Sequence, residues 1–298
     1  MDSGAGSAEL TEAVPDLPEG WRVVHESRSF GFVTRLTLEA PDGSEYEWTS
    51  RRHRKLLGLG ATGRLRPASG ASRPSRMSWW LAALFGIGSL CFATGSLPLY
   101  FDAVSPSIVA WTFFVGSLFF TSAGYLSFHE TVIAPQAILA APRRLRLRGL
   151  VHWRPHRIDW WAGLIQLAGT IAFNVSTFAA TRSALDAVQQ KHLIWTPDVV
   201  GSVCFLVASV LAYAEVNRGV LPRSDHSVGW RIAALNLFGS VAFGVAAIAA
   251  RYLPTTGQTA NIALVNLGTF VGAIAFLVGA VLLPVESSRA EAATAPRR

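Results

Sequence analysis

Hydrophobic and polar positions divide the chain into two regimes. Between residues 20 and 57, Phe30, Phe32, Thr34, Leu36 and Leu38 alternate with other residues, the period of a strand with one covered face. Pro41-Asp42-Gly43-Ser44 supplies turn chemistry and Glu45 to Thr49 returns, so the pattern predicts a small β-hairpin module. Beyond it the pattern changes to six apolar runs, near 79–101, 107–128, 160–181, 195–215, 229–251 and 262–284. Each is long enough to cross about 30 Å of hydrocarbon as a helix. None has Asp, Glu, Lys or Arg in its central part. The fold class expected is an all-α polytopic membrane protein with six transmembrane helices and a small N-terminal cytoplasmic β-hairpin module.

The spans repeat in threes. The odd ones share Trp, eight residues, Gly, Ser or Thr, two residues and Phe: Trp79/Gly88/Ser89/Phe92, Trp160/Gly169/Thr170/Phe173 and Trp230/Gly239/Ser240/Phe243. The even ones share a Gly, a Phe four residues on and a Glu fourteen residues on: Gly116/Phe120/Glu130, Gly201/Phe205/Glu215 and Gly272/Phe276/Glu286. Seven residues after each glycine stands another small residue, Gly95, Ala123, Ser176, Ala208, Ala246 or Gly279. In lipid, helices associate by close backbone approach, so Gly88, Gly116, Gly169, Gly201, Gly239 and Gly272 are expected to pack helices. The tryptophans are expected to anchor the odd spans in the interfacial belt. Three tandem antiparallel hairpins result, related by rotation about the membrane normal, with a central space as the natural place for a cavity.

The hairpin from Trp79 to Glu130, with Gly88-Ser89-Leu90-Cys91-Phe92 and Gly116-Ser117-Leu118-Phe119-Phe120, resembles the two-helix YrhK-like domain. Trp195-Thr196-Pro197-Asp198 and Gly169-Thr170-Ile171-Ala172-Phe173-Asn174 are similar to uncharacterised multi-pass membrane proteins of actinobacterial type, and 24 Arg against 2 Lys suits a G+C-rich genome. The resemblance implies a fold and brings no activity or catalytic residue. The expected order is an acidic tail (1–19), the β-hairpin module (20–57), a basic flexible linker (58–78), hairpin 79–130, an Arg-rich cytoplasmic loop (131–159), hairpin 160–215, a cytoplasmic loop (216–229), hairpin 230–286 and a cytoplasmic tail (287–298).

Composition narrows the class. With 51% hydrophobic and 15% charged residues, the chain falls well below the roughly 25% charged content of soluble domains. Two cysteines, Cys91 and Cys204, both inside spans, exclude a disulfide scaffold. Residues 1–20 hold five acidic and no basic side chains, the reverse of a secretory signal. The net charge of +7 sits in blocks flanking the spans. Arg143, Arg144, Arg146, Arg148, Arg154, Arg157, Arg218 and Arg223 lie on one side, Arg182, Lys191 and Arg251 on the other, which places both termini in the cytoplasm of a bacterium. Arg51, Arg52, Arg54, Lys55, Arg64, Arg66, Arg73 and Arg76 follow the module without an acidic residue between them and are expected on a tether. The Arg143–Arg157 loop interleaves Leu145, Leu147, Leu150, Val151 and Trp153, the construction of a segment on an anionic leaflet, which makes lipid a better partner than nucleic acid.

Chemistry-bearing motifs are few. Gly58-Leu59-Gly60-Ala61-Thr62-Gly63 matches G-x-G-x-x-G but lacks the following helix that a dinucleotide site requires. His152 and His156 have helical metal spacing, but Pro155 lies between them and no further ligand completes a set. No nucleophile elbow, zincin motif or P-loop is present, and no cofactor is expected. Two constellations remain. Glu130, Glu215 and Glu286 are either solvated or paired beyond the bilayer, the latter two with Arg218 and Arg289, or form a cytoplasmic ring that attracts cations. Gln166, Asn174, Asn236 and Asn266 are either interhelical glue or, with Ser176 and Thr177, contacts for a small solute. The leading reading is a non-enzymatic scaffold or accessory protein that contacts anionic lipid, or a protein partner through its N-terminal module, with homo-oligomerisation open. The alternative is a channel or carrier for a small neutral or zwitterionic solute or a cation.

Overall fold

The computed structural model describes residues 16–55, 59–61, 75–134, 153–182, 184–217, 227–253 and 258–294. Most of the basic linker, of the Arg-rich loop and of the loop after Asn217, with His152, Arg218 and Arg223, lies outside the described residues.

The N-terminal module is larger than a hairpin. Strands β1 (Arg22–Ser29), β2 (Phe32–Glu39) and β3 (Glu45–Thr49) form an antiparallel sheet in that order, and β4 (Gly60–Ala61) adds to the β3 edge. Alternation places Leu36 and Leu38 on the covered face, where Val33 and Trp48 complete a core. Strand β1 escaped the pattern because its first four residues are exposed and it follows no clear alternation. Phe30 departs from its expected place on the covered face. It and Gly31 form a two-residue turn with φ of 50° and 83°, the positive values that a tight hairpin between twisted strands requires, and its ring is exposed. At the second turn Gly43 has φ 80° and Ser44 N donates to Asp42 Oδ1 at 2.9 Å.

The basic run after β3 begins as a helix rather than a tether. Thr49 Oγ1 accepts from Arg52 N, and helix α1 (Ser50–Arg54) follows at once. Ser29 Oγ donates to the carbonyl of Ala214, which ties the sheet to the long helices.

Six long helices dominate the remaining described residues: α2 (Arg76–Gly95), α3 (Pro106–Ile133), α4 (Ile158–Ala180), α5 (Thr196–Asn217, continuing a π-helical turn Gln190–Trp195), α6 (Val228–Ala249) and α7 (Ile262–Thr294). All six are long and apolar enough to cross a membrane. Each packs on the next in sequence and α7 returns to α2, so the helices close a ring. Leu90, Leu118, Ile171, Val203, Val241 and Val281 point outward and are exposed. Helices apolar on both their inner and outer faces need lipid as solvent, and the protein is membrane-embedded.

Inside the ring the repeated residues meet. A Cβ on Gly88 would stand 3.0 Å from the Gly116 carbonyl, one on Gly169 3.1 Å from that of Gly201, and one on Gly239 3.0 Å from that of Gly272. The backbones touch where these side chains are missing. One turn on, Phe92, Phe120, Phe173, Phe205, Phe243 and Phe276 fill the axis as one buried cluster. Phe120, Phe205 and Phe276 form a triangle with centroids 5.8 to 6.3 Å apart. Each also meets the phenylalanine of the preceding helix, at 5.4, 5.2 and 5.7 Å. The tryptophans do not behave alike. Trp79 is exposed, as an interfacial anchor would be, but Trp160 is 1% exposed against Phe128, Trp153 and Trp161, and Trp230 Nε1 donates to Asn217 Oδ1 at 2.9 Å.

Candidate functional site: an ionic cap over an axial cavity

The repeated glutamates stand at the module end of α3, α5 and α7, and all three contribute to a single cluster with Asp159 of α4. Helix α1 is seated on that cluster. Arg51 forms a two-pronged bond with Glu286, Nε to Oε1 at 2.6 Å and Nη2 to Oε2 at 2.9 Å, and Lys55 Nζ reaches the same carboxylate at 2.9 Å. Ser50 Oγ donates to Glu215 Oε1 at 2.5 Å, and Arg54 lies between Glu215 at 3.5 Å and Asp159 at 3.7 Å. Arg157 completes the set with two bonds to Asp159 at 2.6 and 2.9 Å. Glu286 therefore pairs with cations from more than 230 residues away in sequence rather than with Arg289 one turn on. Arg54 is nearly enclosed. Burial pulls its guanidinium down, but the carboxylates of Glu215, Asp159, Glu130 and Glu286 outweigh that and hold it above its ordinary value.

Glu130 differs from its two counterparts. It is 9% exposed, and among the described residues no donor reaches its carboxylate. Its side chain helps line a cavity of about 90 Å³ between α1 and the phenylalanine cluster. Arg51, Arg54 and Lys55 form the roof of this space, Phe85 and Phe276 lie toward the cluster, and Gln166 and Asn236 stand in the wall. Phe85, Gln166 and Asn236 each lie three residues before the repeated glycine of their helix, so one register presents one aromatic ring and two amides to the same space.

The other amides lie elsewhere. Asn174 Nδ2 donates to Thr121 Oγ1 at 2.8 Å and Thr177 Oγ1 lies 2.9 Å from Ser117 Oγ, which binds α4 to α3. Ser209 and Ser240 do the same for α5 and α6 at 2.8 Å. Ser176 is buried between helices, and Asn266 lies far along α7 from the cap; neither lines the cavity. Of the six candidate solute contacts, only Gln166 and Asn236 reach this cavity. Arg51, Arg54 and Lys55, read from sequence as the start of a basic tether, are the residues that sequence reasoning missed here. Their signal was the balance itself: a basic run with no acidic residue inside it, and three repeated carboxylates with no basic residue inside their spans.

No known protein family, curated protein or solved structure matches the chain.

Proposed function

We propose that the protein is a non-enzymatic scaffold of a bacterial plasma membrane, built of three antiparallel hairpin repeats about a pseudo-threefold axis, the first of the YrhK-like kind. In this reading the bundle holds the N-terminal module fixed at its cytoplasmic mouth, where the module presents a surface to a protein partner. The Arg-rich loop between the first two hairpins rests on anionic lipid. The observation that carries the proposal is the occupied acidic cluster. A ring that concentrates cations for passage needs carboxylates open to water. Here Glu286 is taken by Arg51 and Lys55, and Glu215 by Ser50 and Arg54. The axial phenylalanines support the same reading, since six packed rings stand where a conduit between the hairpins would run.

The test is flux through proteoliposomes that contain the full chain, for monovalent cations and for small neutral solutes, compared with a variant in which Arg51, Arg54 and Lys55 are all replaced by Gln. A scaffold passes nothing in either form. Flux through the wild-type protein would overturn the proposal, and flux through the variant alone would replace it with a gated conduit.

A further inference from the structure

We propose that the cavity beneath α1 is a binding site for a small zwitterion of the amino-acid type, one ammonium and one carboxylate on a compact frame. The inference goes beyond the scaffold reading and stands independently of any partner at the module.

Unanswered polar groups point into the space. Glu130 is nine-tenths buried with no donor among the described residues. Thr131, 1% exposed, lines the same cavity and its Oγ1 has no hydrogen-bond partner. The side-chain amides of Gln166 and Asn236 in the wall form no hydrogen bond with described residues. A buried carboxylate and hydroxyl without partners are costly, and a guest rich in donors would answer them together with the half-buried wall amides. Glu130, Thr131 and the amide oxygens suit an ammonium.

The roof suits the opposite charge. Lys55 Nζ has three donors, and Glu286 takes one of them. Arg54 meets its carboxylates only at 3.5 and 3.7 Å, longer than a strong charge-assisted bond, so its fork retains donor capacity. A carboxylate beneath α1 would meet both side chains.

Charge balance then selects a zwitterion over a simple ion. Arg51, Arg54, Lys55 and Arg157 face Glu130, Asp159, Glu215 and Glu286, with Arg52 also acting on Glu286, so both signs already surround the space before any guest arrives. A net cation or anion would bring an uncompensated charge into a buried site, whereas a zwitterion brings none. Size sets the remaining limit. At roughly 15 Å³ for each water-sized group the space takes about six such groups, and its volume is about 90 Å³. Phe85, Phe276, Ile232 and Leu283 leave room for a short apolar part only.

The experiment is equilibrium dialysis of the full chain in lipid nanodiscs against radiolabelled glycine and alanine, with methylammonium, acetate and acetamide as competitors. Saturable binding of glycine or alanine at one per chain is expected, with each competitor weaker by at least about tenfold. Glu130→Gln should weaken binding by about tenfold or more. Ala212→Leu, which fills the cavity without touching the ion pairs, should abolish it. A thermal transition measured for each variant separates loss of site from loss of fold, and if a variant unfolds, the wild-type competition series decides alone. Absence of saturable binding to folded wild-type protein would leave the cavity to water and overturn the proposal. So would equal binding of methylammonium, acetate or acetamide, or binding that a folded Ala212→Leu retains.

Discussion

Two levels of the same axial stack draw on side chains at recurring sequence positions and reach opposite solutions. At the phenylalanine level each helix contributes one ring, and the six rings satisfy one another. At the glutamate level α3, α5 and α7 contribute like charges that cannot satisfy one another, and the compensating cations come from α1 and the adjoining Lys55. Repetition suits apolar packing because a ring is its own complement. It does not suit charge, since three like carboxylates in one place raise each other's cost of ionisation. A cluster of three like carboxylates therefore requires cations from outside those helices, and here the same chain supplies them.

The contrast breaks most strongly at the apolar level. Phe205→Ala should cost about 3–5 kcal/mol, because a buried ring is removed from a cluster that cannot collapse around the gap. Denaturant titration of the protein in micelles reads this, and a loss under about 1 kcal/mol would mean that the rings merely fill space. Arg51→Met comes next, at about 3 kcal/mol, since Glu286 stays buried with Lys55 as its remaining cation. The sharper version adds Lys55→Met and Glu286→Leu, which removes both cations together with the carboxylate they share. Buried ion groups replaced whole by apolar side chains are often tolerated, so the triple variant should be more stable than Arg51→Met alone. The reverse order would assign the cap a stabilising role that desolvation arguments deny it.

Smaller effects test the close backbone contacts. Gly116→Ala puts a Cβ 2.7 Å from that of Cys91 and should cost about 1–3 kcal/mol. Gly244→Ala, where a Cβ meets nothing within 4 Å, should gain up to about 1 kcal/mol of helix propensity instead. Thermal unfolding of the two variants in parallel reads the difference. The smallest effect concerns salt. Raising sodium chloride from about 0.1 to about 1 M screens exposed pairs strongly and buried ones weakly. Hydrogen exchange at β2, whose sheet sits above the cap, should therefore change little, and a large loss of protection would show that water reaches the ion pairs.

Legibility in the sequence followed the same divide. The spans, the repeated Gly and Phe and the turn at Gly43 were legible because each is a local or periodic signal. Trp160 was not, because one residue type at one register is buried in α4 and exposed in α2, and only the packing of Phe128 and Trp153 decides which. Strand β1 was hidden by its polar, irregular face. The seating of α1 was hidden for a different reason. Arg51, Arg54 and Lys55 carry the charge expected beside any inward-facing span, and nothing in their neighbourhood distinguishes a residue that orients a helix from one that pairs with a carboxylate in the last helix. Gln166 and Asn236 were in the candidate set, but spacing alone could not separate them from Asn174, whose partner Thr121 lies on another helix.

The bond between Arg51 and Glu286 spans 235 positions of the chain. During synthesis the module emerges before its seat is complete, since that seat forms only when α7 inserts and closes against α2. A truncated chain would leave Arg51 and Lys55 without Glu286, and α1 would face a half-finished surface. Seating of the module thus requires that synthesis and insertion have both passed α7.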